Sequence, residues 1–159
     1  MNFPKNTTVQ SCTITIQPRY SETDQGGVVH HGVFPVYFEM GRTELLRANG
    51  LAYKDLESAG VFFVVAELNI KYRRPAFYDE QLELLTTCTN VTASKVEHSY
   101  KLTRPAPARS VHSQPNSGSA YAETSPQTGE IIAEATSVLA CVDNQGKIRR
   151  IPDFMYFEK

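Results

Sequence analysis

The sequence lacks the features that mark several large classes of protein. Its 159 residues carry a formal net charge of −1, so there is no basic excess for binding nucleic acid. No run approaches the roughly 20 apolar residues of a membrane helix, and residues 1–8 lack the apolar core of a secretion signal. We therefore expect a soluble, cytoplasmic protein with no membrane span and no nucleic-acid partner.

Cysteine is also scarce. Cys12, Cys88 and Cys141 lie far apart, in no spacing typical of metal ligands. This pattern predicts reduced thiols within strands, as in a cytosolic protein. His30 and His31 are further candidate ligands, but adjacent side chains point in different directions and no third ligand is near in sequence. The sequence thus predicts no metal site, and nothing in it calls for a cofactor.

The order of the predicted elements indicates a single α+β domain over residues 1–159. A strand is expected over 12–20, followed by a long helix over 33–47 that ends before an Asn-Gly pair. The β-branched and alternating segments that follow predict an antiparallel sheet curled around this helix. The remaining predicted elements are a helical turn at 53–59, strands at 61–72, 81–91, 95–103, 131–142 and 147–151, and a final turn at 152–157.

One segment differs in composition from the rest. Residues 104–129 are rich in proline, serine, alanine and glycine and poor in large apolar side chains. We expect them to form a long, flexible loop inserted between two strands. The flanking strands can still pair as a hairpin, because the entropy of loop closure rises only slowly with loop length.

The most informative stretch is residues 20–32, which read YSETDQGGVVHHG. It places Asp24, two glycines and two histidines immediately before the predicted long helix. A helix N-terminus offers N–H groups without intrahelical partners and a partial positive charge, and glycine lets a ligand approach the backbone closely. A carboxylate beside donors for a carbonyl oxygen is what acyl hydrolysis requires. The simpler alternative is that Asp24 forms a turn with its own backbone.

This stretch, together with Tyr37-Phe38-Glu39 and Arg42-Thr43-Glu44, resembles the 4-hydroxybenzoyl-CoA thioesterase family of hotdog-fold acyl-CoA thioesterases. It is most similar to the branch that contains the Tol–Pal-associated acyl-CoA thioesterase. The similarity extends over residues 14–152 without the insertion. The resemblance implies a hotdog fold, a homodimer or homotetramer, and hydrolysis of an acyl-CoA substrate to a carboxylic acid and coenzyme A.

The resemblance also implies catalytic roles for two residues. Asp24 takes the position of the family's active-site carboxylate, which attacks the thioester carbonyl or activates a water molecule. His31, seven positions later, takes the position whose backbone N–H polarises that carbonyl. No metal or redox cofactor takes part in this chemistry.

Further residues are predicted to bind the substrate. Gly26, Gly27 and Val28 follow the carboxylate, and His30 stands where the family commonly has an aromatic residue. His30 therefore bears on the shape of the acyl pocket. The phosphates of coenzyme A require cations, and the resemblance favours two of the available ones, Lys95 at the start of a strand and Arg149 in the last strand.

Three alternatives stay open at this point. Glu39 is a second carboxylate, and another branch of hotdog thioesterases uses a helix glutamate; an ion pair with Arg42 at helical spacing is its simpler interpretation. Asp24 with the His31 side chain would also suit a hotdog dehydratase or hydratase acting on acyl thioesters. The third alternative is a scaffold that binds acyl-CoA or a protein without turnover.

Overall fold

In a computed structural model of the chain, residues 7–106 and 129–156 are described. They form one five-stranded antiparallel sheet and two helices. The strands are β1 Ser11–Ile16, β2 Phe62–Tyr72, β3 Leu82–Val91, β4 Lys95–Arg104 and β5 Glu130–Val142, and the helices are α1 Phe34–Ala48 and α2 Tyr53–Ser58. Their order in the sheet is β1-β3-β4-β5-β2, so β1 and β2 are its edges.

The predicted helices and long strands are confirmed, but the strand expected at 12–20 is too long. β1 ends at Ile16, and Tyr20–Glu22 instead form a short 3-10 turn. The physical reason is Pro18, which has no N–H to donate to a neighbouring strand. Its carbonyl accepts the N–H of Asp79 outside the sheet.

The short strand predicted at 147–151 is wrong. Its residues make only an isolated bridge between Val142 and Ile148. The N–H of Arg149 donates to Cys141 in β5, whereas the N–H of Ile151 donates to Ala93 in the turn between β3 and β4. Because its hydrogen bonds go to two different segments, this stretch cannot form a ladder. The predicted final turn is confirmed as a 3-10 turn at Asp153–Met155.

The start and end of α1 follow from local sequence. A 3-10 turn at His31–Val33 leads into the helix, and Pro35 occupies its first turn, where a missing N–H costs no intrahelical hydrogen bond. At the other end, Asn49 is the C-cap and Gly50 adopts a φ of 72°, a left-handed conformation that glycine tolerates. α1 therefore has the position in the chain that the sequence predicted.

The apolar side of α1 packs against the sheet and divides the core into two clusters. The N-terminal half of the helix contributes Phe34, Tyr37 and Phe38 to the first cluster, which also contains Leu84 and Leu102. The C-terminal half contributes Leu45 to the second cluster. Other buried members of the second cluster are Leu51, Leu56, Val61, Cys88, Val96, Cys141, Ile151 and Met155.

Gly41 lets α1 approach β3 closely. A Cβ atom at this position would lie 2.1 Å from Oγ1 of Thr86 and 2.9 Å from Cδ2 of Leu84. Both of these β3 side chains are fully buried, so neither has room to withdraw. The helix–sheet distance therefore depends on the missing side chain.

Gly41→Ala is expected to destabilise the protein by about 1–3 kcal/mol, because overpacking outweighs the gain in helix propensity of about 1 kcal/mol. Unfolding in urea measures the difference. Adding Thr86→Ala to the same chain removes the oxygen that the new methyl group meets, so the double variant should regain part of the lost free energy of unfolding. Unchanged stability of the single variant would show that the sheet moves away at little cost.

The strands on either side of the predicted insertion pair directly with each other. Thr103 lies opposite Ile131, and Arg104 lies opposite Glu130. Arg104 also forms ion pairs with Glu130 and, at 2.8 Å, with Glu80. The predicted hairpin across the insertion is thus confirmed. Most of the segment predicted to be flexible, 104–129, lies outside the described residues, because these do not include 107–128.

A small polar group is buried between α1 and the sheet. Arg42 of α1 donates from Nη1 to the hydroxyl of Tyr100 at 3.1 Å, and that hydroxyl lies 2.7 Å from Oγ of Ser137. Arg42 therefore does not form the ion pair with Glu39 that helical spacing predicted; its side chain points inward, whereas Glu39 is exposed. Next to Tyr100 lies His98, whose ring stacks on the Tyr100 ring.

His98 should make the protein less stable in acid. Burial, with a smaller contribution from the Arg42 charge, lowers the pKa of His98 from 6.5 to about 4. Between these values the unfolded chain binds a proton that the folded chain does not, so stability falls as the pH drops below about 6.5. The loss reaches about 3 kcal/mol near pH 4.

Urea unfolding of wild type and His98→Gln at neutral pH and at about pH 4.5 tests this linkage. The wild type should lose more free energy of unfolding over this interval than the variant does. Equal losses would mean that His98 is protonated in the folded protein.

Candidate active site

The candidate site is built on a tight hairpin between β1 and α1. Thr23 pairs with Val29 in an isolated bridge, the N–H of Asp24 donates to Val28 O at 2.9 Å, and the N–H of Gly27 donates to Asp24 O at 3.0 Å. Gly27 has a φ of 76°, which a residue with a side chain rarely adopts. Gly27 is therefore needed to close the turn that carries Asp24.

Asp24 is exposed at this turn, and its two carboxylate oxygens differ. Oδ1 accepts the backbone N–H of Gly26 at 2.8 Å, the turn-forming contact that was the simpler alternative for this residue. Oδ2 has no hydrogen-bond partner within the part of the chain that the structure describes. A Cβ atom at position 26 would come within 3.0 Å of Oδ1, so Gly26 keeps the space beside the carboxylate open. One oxygen fixes the side chain and the other is available to a ligand.

The start of the helix lies at the end of the same hairpin. His30 is the N-cap of the 3-10 turn that leads into α1, and its Nδ1 accepts the N–H of Gly32 at 3.1 Å. The N–H of His30 donates to Glu22 O, and that of Val33 donates to His30 O. The intervening N–H of His31 has no acceptor among residues 7–106 and 129–156. It is a donor at a positive helix end with no partner in the chain.

The two histidine rings pack on each other at the surface. Their centroids are 4.1 Å apart and the ring planes are inclined at 34°. Both residues are exposed. Within the described residues, no three histidine, cysteine, aspartate or glutamate side chains are grouped closely enough to hold a metal ion.

Sequence reasoning missed three residues that brace the site. Tyr37 of α1 donates its hydroxyl to Oε2 of Glu22 at 2.7 Å, and Tyr72 of β2 donates to His31 O at 2.9 Å. Burial opposes ionisation of Glu22, but the N–H of Arg19, the Tyr37 hydroxyl and the Arg19 guanidinium outweigh it and lower the Glu22 pKa. An anionic Glu22 therefore holds the hairpin against α1. No local sequence pattern predicts the Tyr37–Glu22 and Tyr72–His31 hydrogen bonds, because the two residues of each pair are at least 15 positions apart.

Exposed aromatic side chains lie beside the hairpin. Val28 forms a bridge with Phe77, and the N–H of Val29 donates to Ala76 O. Phe77 is exposed, and the guanidinium of Arg104 lies 5.9 Å from its ring centroid. The exposed rings of Tyr20 and Tyr78 meet edge to face with centroids 5.8 Å apart. This surface offers apolar and stacking contacts next to Asp24.

Lys95 and Arg149 are not brought to Asp24 within one chain. His31 contacts Tyr72, which pairs with Ala133 near the start of β5, whereas Lys95 pairs with Ala140. At about 3.3 Å per residue, these points lie roughly 23 Å apart along the strand. Arg149 is also at the far end, where its guanidinium donates to the carbonyl of Gly60.

The cysteines lie where the sequence predicted, in three strands. Cys12 is in β1, Cys88 in β3 and Cys141 in β5, and all three are free thiols. Burial raises the pKa of Cys88 to about 11, so this thiol stays protonated at neutral pH. None of the helices in the described residues is long and apolar enough to cross a membrane.

Comparison with known proteins places the chain in a family. A family model described as "Thioesterase superfamily" matches residues 26–109, just over half of the chain. "Putative acyl-CoA thioesterase YneP" of Bacillus subtilis (strain 168) is 32% identical over 130 residues, which are 82% of this chain and 78% of YneP. "Acyl-CoA thioester hydrolase YbgC" of Escherichia coli O6:H1 is 35% identical over 77 residues, which are 48% of this chain and 58% of YbgC.

The fold is also similar to that of a solved thioesterase structure. The crystal structure of a 4-hydroxybenzoyl CoA thioesterase mutant complexed with 4-hydroxybenzoyl CoA superposes with a TM-score of 0.73, over 91% of this chain and 94% of that one. At 13% identity this likeness concerns the fold alone. The resemblance found in the sequence and the predicted fold are both confirmed. The chain belongs to the thioesterase superfamily and has an α+β hotdog fold.

Proposed function

We propose that this protein hydrolyses the thioester of an acyl-coenzyme A to a carboxylic acid and free coenzyme A. The observation that carries the proposal is that one hairpin holds both a carboxylate oxygen and a backbone N–H that are free to contact a substrate. Oδ2 of Asp24 and the N–H of His31 both lack partners within the described residues. Relatives named as acyl-CoA thioesterases support the same reaction.

The proposed chemistry needs only these two groups. Asp24 supplies the carboxylate, either as the nucleophile that attacks the thioester carbon or as the base that takes a proton from the attacking water. As the carbonyl oxygen becomes negative, the N–H of His31 donates to it, and the positive end of α1 stabilises the charge. The C–S bond then breaks, and coenzyme A leaves as a thiolate that takes up a proton. In the base route this step also yields the carboxylic acid. In the nucleophile route the acyl group stays on Asp24 as an anhydride, which a water molecule then hydrolyses to the acid and the free carboxylate. No metal or redox cofactor is required.

The residues around the hairpin are proposed to hold the substrate. Gly26 and Gly27 leave room beside the Asp24 carboxylate because neither has a side chain. Val28 and the exposed ring of His30 flank the helix start, where the acyl group would lie against apolar and aromatic surface. Phe77, which bridges to Val28, extends this surface. These contacts favour an acyl group with apolar or aromatic character.

We further propose that the active unit is a homodimer formed across β2. This edge strand has 11 residues, and on the side away from β5 its backbone has no neighbouring strand within the described residues. Val64 (48%) and Val65 (51%) are exposed on it. Unpaired edges of this length tend to be covered. Antiparallel pairing with a second copy, about a twofold axis near Glu67, would bring the Phe62 end of one β2 beside the Tyr72 end of the other.

Such a dimer would bring the predicted phosphate-binding cations of one copy close to the predicted catalytic residues of the other. Arg149 lies at the start of β2 through its contact with Gly60, so the partner's Arg149 would approach the helix start that contacts Tyr72. Lys95 lies two strands further into the sheet, about 10 Å from β2. We therefore propose that both cations reach the coenzyme A phosphates across the interface, Arg149 more closely than Lys95. A tetramer of two such dimers would preserve this arrangement.

Val65→Lys is expected to weaken the dimer by roughly tenfold or more, because each copy would press a charged side chain instead of an apolar one against the partner strand. Light scattering over a concentration series gives the dissociation constant, and thiol release gives the activity, which should fall with the dimer. Leu85→Lys is the matched control, since Leu85 is an exposed apolar residue on β3, away from this edge. A Val65→Lys monomer with full activity would contradict the proposed shared site.

The three free thiols also support a location in the cytoplasm, where thiols stay reduced. This part of the proposal concerns the compartment and not the reaction. Fractionation of cells that contain the native chain would test it.

Purified wild type incubated with a panel of acyl-CoAs of graded length and aromaticity tests the reaction. We expect release of free thiol, detected with a chromogenic disulfide, and no enzymatic hydration of enoyl-CoA. Hydration without thiol release would support the hydratase alternative. Acyl-CoA binding without either reaction would support the non-catalytic scaffold.

A further inference from the structure

A short segment between β2 and β3 pairs with the hairpin that carries Asp24. The N–H of Val29 donates to Ala76 O at 2.8 Å, and Val28 pairs with Phe77 in an isolated bridge. Asp24 lies on the opposite strand of the same hairpin, since its N–H donates to Val28 O. Its backbone and that of Phe77 are therefore two strand spacings apart, about 10 Å. The position of this segment decides where the exposed Phe77 ring lies relative to the carboxylate.

The segment is fixed by one arginine near the end of β4. Nη2 of Arg104 donates to Pro75 O at 3.0 Å. The same guanidinium donates to both carboxylate oxygens of Glu80, from Nε at 3.0 Å and from Nη2 at 2.9 Å. Paired contacts of this kind are among the stronger hydrogen bonds in proteins. Glu80 in turn accepts the N–H of Phe77 at 3.0 Å. Arg104 thus holds Pro75 directly and Phe77 through Glu80.

The Arg104 guanidinium also contacts the ring of Phe77. Its central carbon lies 5.9 Å from the ring centroid, within the range of a cation–π contact. The ring is 44% exposed, so part of its surface stays available to a ligand. Arg104 therefore constrains both the backbone and the side chain at this position.

The turn that follows this ring has a conformation that needs outside support. Asp79 has a φ of 66°, in the left-handed region that is uncommon for residues with a side chain. Nε2 of Gln17 donates to its carboxylate at 2.7 Å, and its N–H donates to Pro18 O at 3.0 Å. Such backbone persists only where surrounding contacts fix it. We expect the turn to relax when the contacts between Arg104 and Glu80 are lost.

The catalytic groups of the hairpin are also held by other contacts. Tyr37 donates to Glu22, and Tyr72 donates to His31 O, which fastens the hairpin to α1 and β2. Loss of the arginine should therefore release the Phe77 ring much more than it displaces the catalytic groups.

We propose that Arg104, together with Glu80, is a positioning residue that holds the Phe77 ring where it contacts the acyl group of the substrate, an inference that rests on the proposed thioester hydrolysis. A ring without this support would have to be ordered when the substrate binds, which weakens binding. The cost falls on binding and not on the bond-breaking step. Loss of Arg104 should therefore raise KM more than it lowers kcat.

A fluorescence measurement tests the positioning without reference to catalysis. The chain contains no tryptophan, so Phe77→Trp introduces a single fluorophore in place of the ring. Adding Arg104→Gln should raise the acrylamide quenching constant roughly twofold, because an indole that loses its guanidinium neighbour becomes more accessible. Adding Arg73→Gln is the matched control and should leave quenching unchanged, since Arg73 forms its ion pair with Glu134, at 3.0 Å.

Thiol release tests the effect on the substrate, with the acyl-CoA that wild type hydrolyses best. Arg104→Gln should raise KM by roughly three- to tenfold, the effect of having to order one side chain on binding, and kcat should stay within about threefold of wild type. Arg104→Lys keeps the charge beside Glu80 but loses the planar pair of donors, so it should recover part of the loss. In a Phe77→Ala background, Arg104→Gln should raise KM no further.

The two measurements separate this proposal from the proposed function. If no acyl-CoA releases thiol, the proposed hydrolysis fails and the acyl contact with it, while quenching alone decides whether Arg104 holds position 77. If wild type releases thiol and Arg104→Gln changes neither quenching nor KM, the positioning role is overturned and hydrolysis stands. An equal rise of KM with and without the Phe77 ring, or after Arg73→Gln, also overturns it. Should Arg104→Gln fail to fold, Glu80→Gln removes the same ion pair and is expected to give the same results.

Discussion

Asp24→Asn is expected to lower kcat for acyl-CoA hydrolysis by roughly a hundredfold or more. The amide keeps the shape of the carboxylate, and its oxygen can still accept the N–H of Gly26, so the hairpin should be preserved. However, the group that replaces Oδ2 is neither a base nor a nucleophile. Steady-state thiol release measures kcat and KM, and KM should change little because the substrate contacts remain.

Glu39→Gln is the matched control, since it makes the same chemical change in the second candidate carboxylate. Glu39 is exposed on α1, and Thr43 donates only to its backbone carbonyl. We expect a smaller loss of kcat than for Asp24→Asn. Urea unfolding of both variants should match wild type. An Asp24→Asn enzyme within a few-fold of wild-type activity would shift the catalytic role to Glu39 or another group.

The sequence predicted the fold well because its signals are local. Apolar periodicity and the Asn49-Gly50 stop define α1, and β-branched runs define the long strands. The prediction failed in two places for different reasons. Pro18 is a local signal that outweighs the alternation of side chains and ends β1 early. The segment after Gly146 instead divides its hydrogen bonds between two neighbours that only the folded chain brings together.

The candidate site was predictable only in part for the same reason. The carboxylate, the glycines and the helix start lie within a few residues of one another, so a motif contains them. Glu22 and Tyr37, or Tyr72 and His31, meet only after the chain has folded. For Arg42 a local pattern was present but misleading. Helical spacing predicts a surface ion pair with Glu39, whereas in the fold the Arg42 side chain is buried in the core.

The proposed coenzyme A contacts depend on assembly. The family resemblance favoured Lys95 and Arg149 among the cations of the chain, yet one chain holds them at the end of the sheet away from His31. A single sequence does not indicate which edge strand of the sheet pairs with a second copy. The exposed length of β2 makes that edge the one to test.

His31→Pro is expected to lower kcat by roughly a hundred- to a thousandfold, the usual effect of losing one oxyanion donor. Proline removes the N–H that has no acceptor in the described part of the chain and leaves the other hydrogen bonds of the hairpin in place. His31 is the first residue of the helical segment, and His30 before it is extended with ψ 136°, so the backbone already suits proline. Steady-state thiol release measures the loss.

His31→Ala isolates the backbone from the side chain. It keeps the N–H and removes the imidazole, so it should retain activity within about tenfold of wild type, the remaining loss reflecting the packing of His31 on His30. Urea unfolding and light scattering should show both variants folded and assembled like wild type. If His31→Ala loses as much activity as His31→Pro, the imidazole itself takes part in proton transfer, as in the hydratase alternative. If instead His31→Pro is nearly as active as wild type, the oxyanion is stabilised by another donor.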